Sequence, residues 1–383
     1  MQHTQNLRIA WLLPVAWFYW QPAIAELTKI FPNTTVFTGL FPGHAKGLES
    51  ILKVEVVGKL KVIEIARDEN SYGDNFTYLS PKIIGHLLKL RPQVIFSSSF
   101  GIWTIIALLL KPLLWWRVVI AYEGCSPGVD YRNSAARLFV RRLMVRMADA
   151  GISNSQAGGE YLIEVLRAKP DRVFVQPYEI PDQSTLPSIA EGESPKHLTQ
   201  LQQPVFLFVG HIIRRKGLPL LLQAATILHS RGYDRFTILV VGNGDLQPEL
   251  ETFCREHHLS DLVHWAGRVP FDQIGTYFHA ADVFVFPTQE DTWGVVTLEA
   301  MLMGKPILCS TGAGTSELIV QGENGNVFVP DDANKLADLM QQFFDNPAAI
   351  AKMGARSKQI MTHYTPAAAA QCLAKVTELV MAD

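Results

Sequence analysis

Short apolar runs alternate with helical patterns along most of this chain, and that alternation excludes all-helical and all-strand folds. The runs RIAWLL, TTVFTG, VEVVG, QVIFSSS and RVVIAY read as strands, with helices over 21–30, 81–90, 102–110 and 135–148. A second series follows: VFLFVG, a helix from Leu218, FTILVVGNG, a helix from Pro248, LVHWAG, a helix near 271–280, and DVFVFP. Between the two series lies EIPDQSTLPSIAEGESPKHLTQLQQP, rich in Pro, Ser, Gln and Glu and without periodicity, which reads as a linker. The expected architecture is α/β: two doubly wound, mostly parallel domains facing a cleft. The first covers 1–180, the linker 181–203 and the second 204–365, with a terminal helix over 366–383 packing back on the first.

At 383 residues and 48% hydrophobic content, the chain has bulk for two such cores. Its net charge is only −2, but residues 1–180 carry 20 Lys and Arg against 14 Asp and Glu, leaving 14 against 22 in the remainder. Halves of +6 and −8 fit two domains with different partners, and fit an uneven solvated surface equally. Cys125, Cys254, Cys309 and Cys372 form no CxxC or Cys/His cluster and read as reduced thiols, so a cytoplasmic location is expected. MQHTQNLRIAWLLPVAWFYWQP lacks a charged leader and is broken by Pro14, so it does not read as a signal peptide. FGIWTIIALLLKPLLWW is interrupted by Lys111 and Pro112 and is short for a bilayer span.

Open parallel sheets bind ligands beyond the carboxyl ends of their strands. Here those ends read VGHIIRRKG, VGNGD, AGRVP and PTQEDTWG, all rich in Gly, polar or charged residues. Arg214, Arg215 and Lys216 precede a helix start near Gly217, where free amides and the helix dipole already favour an anion. A phosphate or diphosphate suits that turn; a solvated basic turn has the same composition. In PTQEDTWGVVTLEAMLMGKPI, the amides of Gly294, Val295 and Val296 open the next helix. Asp291 precedes that turn and Glu299 follows eight positions later, among apolar residues. A carboxylate there needs a partner, and the neighbouring hydroxyls of a sugar or ribose supply one. Asp291 also fits a helix N-cap and Glu299 a helix-surface acid. Gly242 and Gly244 lack the third glycine of a dinucleotide fingerprint and read as a tight turn.

VGHIIRRKG, VVGNGDLQPELE, VHWAGRVP and DVFVFPTQEDTWGVVTLEAMLMGKPILCSTGAGTSELI, in this order, resemble the retaining glycosyltransferases of GT-B fold, family 4 (glycosyl transferases group 1). The resemblance covers about 130 residues strongly. It implies an acceptor-side first domain and a second domain that binds a nucleotide sugar. Asp291 stands where the family's Glu-x7-Glu pattern has its first Glu, and matches the contact to donor-sugar hydroxyls; Glu299 matches the ribose contact. Arg215 and Lys216 match the diphosphate-binding cations. Gly210 ends the strand, and His211 stands where many relatives keep an Arg. Gly267, Arg268 and Val269 match the loop that cradles the base. Glu123, in VVIAYEGCSPG, matches an acceptor-side polar position, to orient or deprotonate a hydroxyl, and also fits a loop acid.

The first half resembles the family in layout alone. Its Gly-rich first loop is replaced by PVAWFYWQP, whose Trp17, Phe18, Tyr19 and Trp20 suit either stacking on an acceptor or the core. Arg132, Arg137, Arg141, Arg142 and Arg146 share one helix, fit for anionic lipid or for a solvated basic face. The implied reaction moves a sugar, with retention, from a nucleotide diphosphate such as UDP-glucose to a saccharide, lipid-linked or small-molecule hydroxyl. It needs no cofactor and, with no Asp-x-Asp motif, no metal. An epimerase of the same fold and an inactive nucleotide-binding subunit are the rival readings, and no nucleic-acid motif is present.

Overall fold

The computed structural model describes residues 6–66, 71–72, 74–186 and 198–382, so residues 187–197 of the sequence-read linker lie outside the described residues. The chain divides into two compact units. One comprises Met1–Arg67, Gly73–Asp182 and Tyr364–Asp383; the other comprises Asp68–Tyr72 and Gln183–His363.

In the first unit the strands are β1 (Arg8–Val15), β2 (Asn33–Leu40), β3 (Val54–Val56), β4 (Lys61–Ala66), β5 (Asp74–Tyr78), β6 (Val94–Ser98), β7 (Arg117–Tyr122), β8 (Ala150–Ser153) and β9 (Val173–Val175). Its helices are α1 (Gln21–Ile30), α2 (Ile83–Leu90), α3 (Ile102–Leu114), α4 (Pro127–Asp130), α5 (Ala135–Met147) and α6 (Gln156–Glu160). Seven strands form one parallel sheet in the order β3-β2-β1-β6-β7-β8-β9, while β4 and β5 pair as a separate antiparallel hairpin. Helices cover a parallel sheet on both faces, so β1, β6 and β7 are nearly continuous apolar runs rather than alternating ones. The helix read over 102–110 continues to Leu114. Pro112 lies in its last turn and forfeits the backbone bond that an amide there would make to the Leu108 carbonyl.

The second unit contains β10 (Val205–Val209), β11 (Thr237–Val241), β12 (Val263–Gly267), β13 (Val283–Phe286), β14 (Ile307–Ser310) and β15 (Gly325–Phe328). They form a parallel sheet in the order β12-β11-β10-β13-β14-β15. Its helices are α7 (Leu218–Ser230), α8 (Gln247–Glu256), α9 (Ile274–Ala280), α10 (Val295–Leu302), α11 (Ala333–Asp345) and α12 (Ala348–Met361). The chain winds outward from β10 to β12 and then returns to the other side of β10 as β13. That reversal falls between the loops after β10 and β13, the usual ligand position in such sheets. The terminal helix α13 (Pro366–Ala382) belongs to the first unit, where Ala369, Leu373 and Val376 are buried and the helix packs against α1.

Candidate active site

The site begins with backbone. Phe206 and Phe208 anchor β10 in the second unit's core, so the chain leaves the sheet at Gly210 in a fixed direction. The Gly210 amide donates to Val241 O at 3.0 Å, and the Ile212 amide to Asn243 O at 3.0 Å. The Gly242 amide donates to Gly267 O at 2.8 Å. These bonds tie the loops after β10, β11 and β12 into one platform. Gly242 and Gly244 have a packing reason: an added Cβ would stand 1.9 Å from Gly210 O and 2.3 Å from Ile212 O respectively. On this platform His211 and Arg268 are exposed, while Val269 is half-buried.

Arg214–Lys216 form a single 3-10 turn, capped by Gly217 at the start of α7. The turn is stitched to the loop after β13. The Gln289 amide donates to Arg215 O at 2.8 Å, and the Thr288 hydroxyl does so at 2.9 Å. The three cations then separate. Arg214 turns outward, pairing through Nη2 with Glu249 Oε1 at 3.0 Å on the exposed face of α8. The Arg215 guanidinium donates to Glu290 O at 2.6 Å. Lys216 Nζ bonds Asp291 Oδ2 where both side chains are largely buried.

Asp291 is held from two sides. Its amide donates to Gly312 O at 2.9 Å, and its carbonyl accepts from the Gly314 amide at 3.0 Å. The N-cap of α10 is Gly294, with no side-chain cap bond, so Asp291 does not serve as that cap. Its Oδ1 instead faces the Trp293 amide at 3.4 Å. Val295 and Val296 open α10, so their amides precede the first helical bonds, and the Thr297 amide already donates to Gly294 O at 2.9 Å. Glu299 lies in the second turn and is 7% exposed, so it is not a helix-surface acid. Its carboxylate makes no hydrogen bond or ion pair among the described residues, and burial pushes it up to about 7. A buried acid in this condition is a standing cost that a hydroxyl-bearing ligand would relieve.

One residue at this site gave no signal in the sequence. The Tyr72 ring lies under the Arg215 guanidinium, 4.0 Å from ring centre to Cζ. Its hydroxyl accepts the Thr292 amide at 3.1 Å and stands 3.4 Å from Asp291 Oδ1. Burial first, and the Asp291 charge second, push the Tyr72 phenol up to about 12, so it stays a neutral donor. The neighbouring Ser71 hydroxyl donates to Glu290 Oε2.

In the first unit, a small cavity of about 110 Å³ at the carboxyl end of β1 is lined by Trp17, Tyr19, Trp20, Ser98 and Glu123 among others. The aromatic residues of PVAWFYWQP do not behave alike. Trp17 is exposed, while Phe18 and Tyr19 are half-buried. Trp20 is 3% exposed and packs on Trp11 and Tyr178, with ring centroids 5.6 and 5.1 Å away, which makes it chiefly a core residue. Glu123 accepts the Ser98 hydroxyl at 3.0 Å. Burial raises its carboxyl above the ordinary range, and the Ser98 bond offsets part of that rise. Among the described residues, no group of three His, Cys, Asp or Glu is placed to hold a metal ion, and no helix is long and apolar enough to cross a membrane.

Two Rossmann-like parallel sheets, one with cations and carboxylates at its switch point, define a fold of GT-B type. Solved structures of that class superpose on the chain. HepE from Anabaena, in complex with UDP, does so with a TM-score of 0.77 at 18% identity, covering 97% of this chain and all of that one. Sucrose-phosphate synthase from Thermosynechococcus elongatus gives 0.71 at 19% identity, covering 98% and 99%. The family model for glycosyl transferases group 1 matches residues 190–360, within the second unit. A D-inositol 3-phosphate glycosyltransferase from Pseudarthrobacter chlorophenolicus is 28% identical over 206 residues, 53% of this chain and 49% of that protein. An alpha-D-kanosaminyltransferase from Streptomyces kanamyceticus is 30% identical over 145 residues, 38% and 37% of the two chains. The chain thus spans about half or less of the length of these curated relatives.

Proposed function

We propose that this protein is a retaining hexosyltransferase that moves a sugar from a UDP-sugar, UDP-glucose for preference, to a hydroxyl acceptor without a metal. The observation that carries the reading is the meeting of Lys216 with Asp291 at the β10–β13 switch point, in the loop that opens the helix bearing unpartnered Glu299. The solved complex of HepE with UDP-glucose supports the choice of donor. In this reading Glu299 accepts hydrogen bonds from the ribose diol and Asp291 from the donor sugar. Arg215, Lys216 and the first amides of α10 take the diphosphate. The platform of Gly210, His211, Gly242, Gly244 and Gly267–Val269 carries the rest of the nucleotide.

In the transfer step the bond from the sugar's anomeric carbon to the diphosphate oxygen breaks, and a bond to the acceptor oxygen forms on the same face. Negative charge grows on the departing diphosphate, so fixed cations stabilise the transition state more than the ground state. Glu123, with its raised carboxyl, is the candidate to orient the acceptor hydroxyl or take its proton, and Trp17 and Tyr19 the candidates to stack on the acceptor. The sequence puts Arg132 in one helix with Arg137, Arg141, Arg142 and Arg146, but Arg132 lies before α5 and pairs with Asp130 at 3.1 Å, because the helical run breaks at Tyr131. The peripheral membrane contact of the same reading therefore runs through α5 with the other four arginines, where a lipid-linked acceptor would be met at a bilayer.

The test is steady-state kinetics with UDP-glucose and a panel of acceptors in the presence of EDTA. Arg215→Ala is expected to lower kcat by roughly 10²–10³, the scale for losing one preorganised electrostatic contact. Arg214→Ala, which loses an exposed pair, should change it little. Activity that vanishes in EDTA and returns with Mg²⁺, or a crippled Arg214→Ala beside a normal Arg215→Ala, would overturn the assignment. Epimerisation of the donor without any acceptor would overturn transfer itself.

A further inference from the structure

The first unit exposes apolar side chains where a water-facing helix pair should be polar. On α3, Leu109 and Leu113 lie on one face, and the helix ends in Trp115; on α5, Phe139 and Leu143 share a face. Trp115 is 88% exposed, Leu113 73% and Phe139 68%. The two helices are neighbours: the Lys111 ammonium of α3 donates to Met147 O at the end of α5 at 2.8 Å. Trp115 is also held at φ +57°, a backbone state in which a glycine or asparagine would be far less strained. A bulky apolar residue kept in that state and in water is unfavourable twice over for folding alone.

Charge adjoins this apolar face. On the flank of α5, a cavity of about 750 Å³ is lined by Arg142, Arg146, Arg167, Lys169 and Arg172, with Asp149 the carboxylate among its lining residues. Asp149 is already paired with Lys111 at 2.8 Å and with Arg117 at 3.5 Å. The lining is therefore strongly cationic in a protein whose net charge is −2. Apolar side chains that end in an exposed Trp, with Arg and Lys alongside, are the chemistry of a helix face lying in the interface of an anionic bilayer. A second copy of the chain fits less well, because a twofold contact would bring two sets of these cations together.

We infer that the exposed face of α3 and α5, with the adjoining cationic cavity, docks this protein on the surface of a membrane containing anionic phospholipid. The inference deepens the peripheral-contact part of the proposed function by naming the surface and the lipid charge. It needs no transfer chemistry to hold. Hydrophobic side chains enter the head-group region while the cations of the cavity meet lipid phosphates.

Flotation with phospholipid vesicles tests this. The full chain should rise with phosphatidylcholine vesicles containing about 30 mol % phosphatidylglycerol and stay behind with pure phosphatidylcholine. Raising salt from about 0.1 M to about 0.5 M should release it. Leu113→Ser with Trp115→Ser should lower the bound fraction roughly tenfold, and Arg167→Ser with Lys169→Ser should do likewise. Unchanged UDP affinity with unchanged circular dichroism shows that the fold of each variant is intact. Failure to float with anionic vesicles, or flotation indifferent to both pairs of substitutions, would overturn the inference. So would sedimentation showing a dimer that Leu113→Ser with Trp115→Ser splits into monomers. Loss of flotation leaves transfer in solution standing, and loss of transfer leaves flotation standing, so the two failures are distinguishable.

Discussion

Glu299 sets an unusual pH dependence. Its carboxyl is raised from the ordinary value to about 7, by burial. Between the unfolded and folded values, the folded state holds a proton that the unfolded chain has already lost. Stability is therefore highest below about pH 4.5 on this account, falls as pH rises through the window, and is lowest above about pH 7. The sign is opposite to that of an acid stabilised by an ion pair. At about 1.4 kcal/mol per unit, the total is on the order of 3 kcal/mol. Urea unfolding of the wild type at pH 5 and pH 8 should show this loss in the second unit, and Glu299→Gln should show far less of it. Saturating UDP should also flatten the slope if ribose hydroxyls bond the ionised carboxylate. Equal slopes in wild type and variant would remove Glu299 as the responsible group. At this scale the sequence was informative about composition and poor about contact. A lone Glu among Val, Leu and Met signals a buried acid, and Arg215, Lys216 and Asp291 announce themselves by charge. Tyr72 does not, because its partners at Asp291 and Thr292 lie 219 and 220 residues away in a polar stretch with no periodicity.

The elements were legible where local physics decides them. The helix read over 21–30 and the strand read over 117–122 have the bounds Gln21–Ile30 and Arg117–Tyr122, since their apolar patterns are strong and their ends are marked by breaks in pattern. The β4–β5 hairpin was not read. Val62, Ile63 and Phe76 are exposed, so no inside-outside alternation marks those strands. The short β8 and β9 escaped for lack of length. What joins elements is harder still to read, and the turn after β10 shows why. Gly217 has φ +74°, and an added Cβ would stand 1.8 Å from Pro287 O, a backbone atom at the end of β13. Gly232, at the end of α7, also has a positive φ of +87° but open space around it. Gly217→Ala should therefore cost about 3 kcal/mol or more, combining strain with displacement of the β13 loop. Gly232→Ala should cost only about 1 kcal/mol, from strain alone. Denaturant midpoints of the two variants check this. Gly217→Ala should also weaken UDP binding, because Arg215 and Lys216 ride on that turn, whereas a similar cost in both variants would mean that the close approach to Pro287 O carries no weight.

At the scale of the whole molecule, the proposed donor residues and the acceptor candidates belong to different compact units. Every proposed donor contact, from Gly210 to Glu299, lies within Gln183–His363, whereas Trp17, Tyr19 and Glu123 lie in the unit that includes α13. Each unit has its own buried core, around Phe206 and Phe208 in one and around Ile95, Trp103 and Ile120 in the other. Separate cores can melt separately, and a ligand stabilises only the unit whose folded state it binds. Scanning calorimetry should therefore resolve two transitions, and UDP should raise one of them. At about 100 times its Kd the nucleotide adds about 2.7 kcal/mol, which for a unit of this size is a rise of about 5–10 °C. Glu299→Ala should abolish most of that rise, since it removes the proposed ribose contact, without moving the other transition. A saccharide or lipid acceptor analogue should do the reverse and raise the transition that UDP leaves in place. Two outcomes would contradict the assignment. If UDP raised both transitions equally, its binding energy would not be confined to the residues between Gly210 and Glu299. If it raised the one that Glu123→Gln perturbs, the donor would belong to the first unit, and the donor and acceptor roles of the two halves of the chain would have to be exchanged.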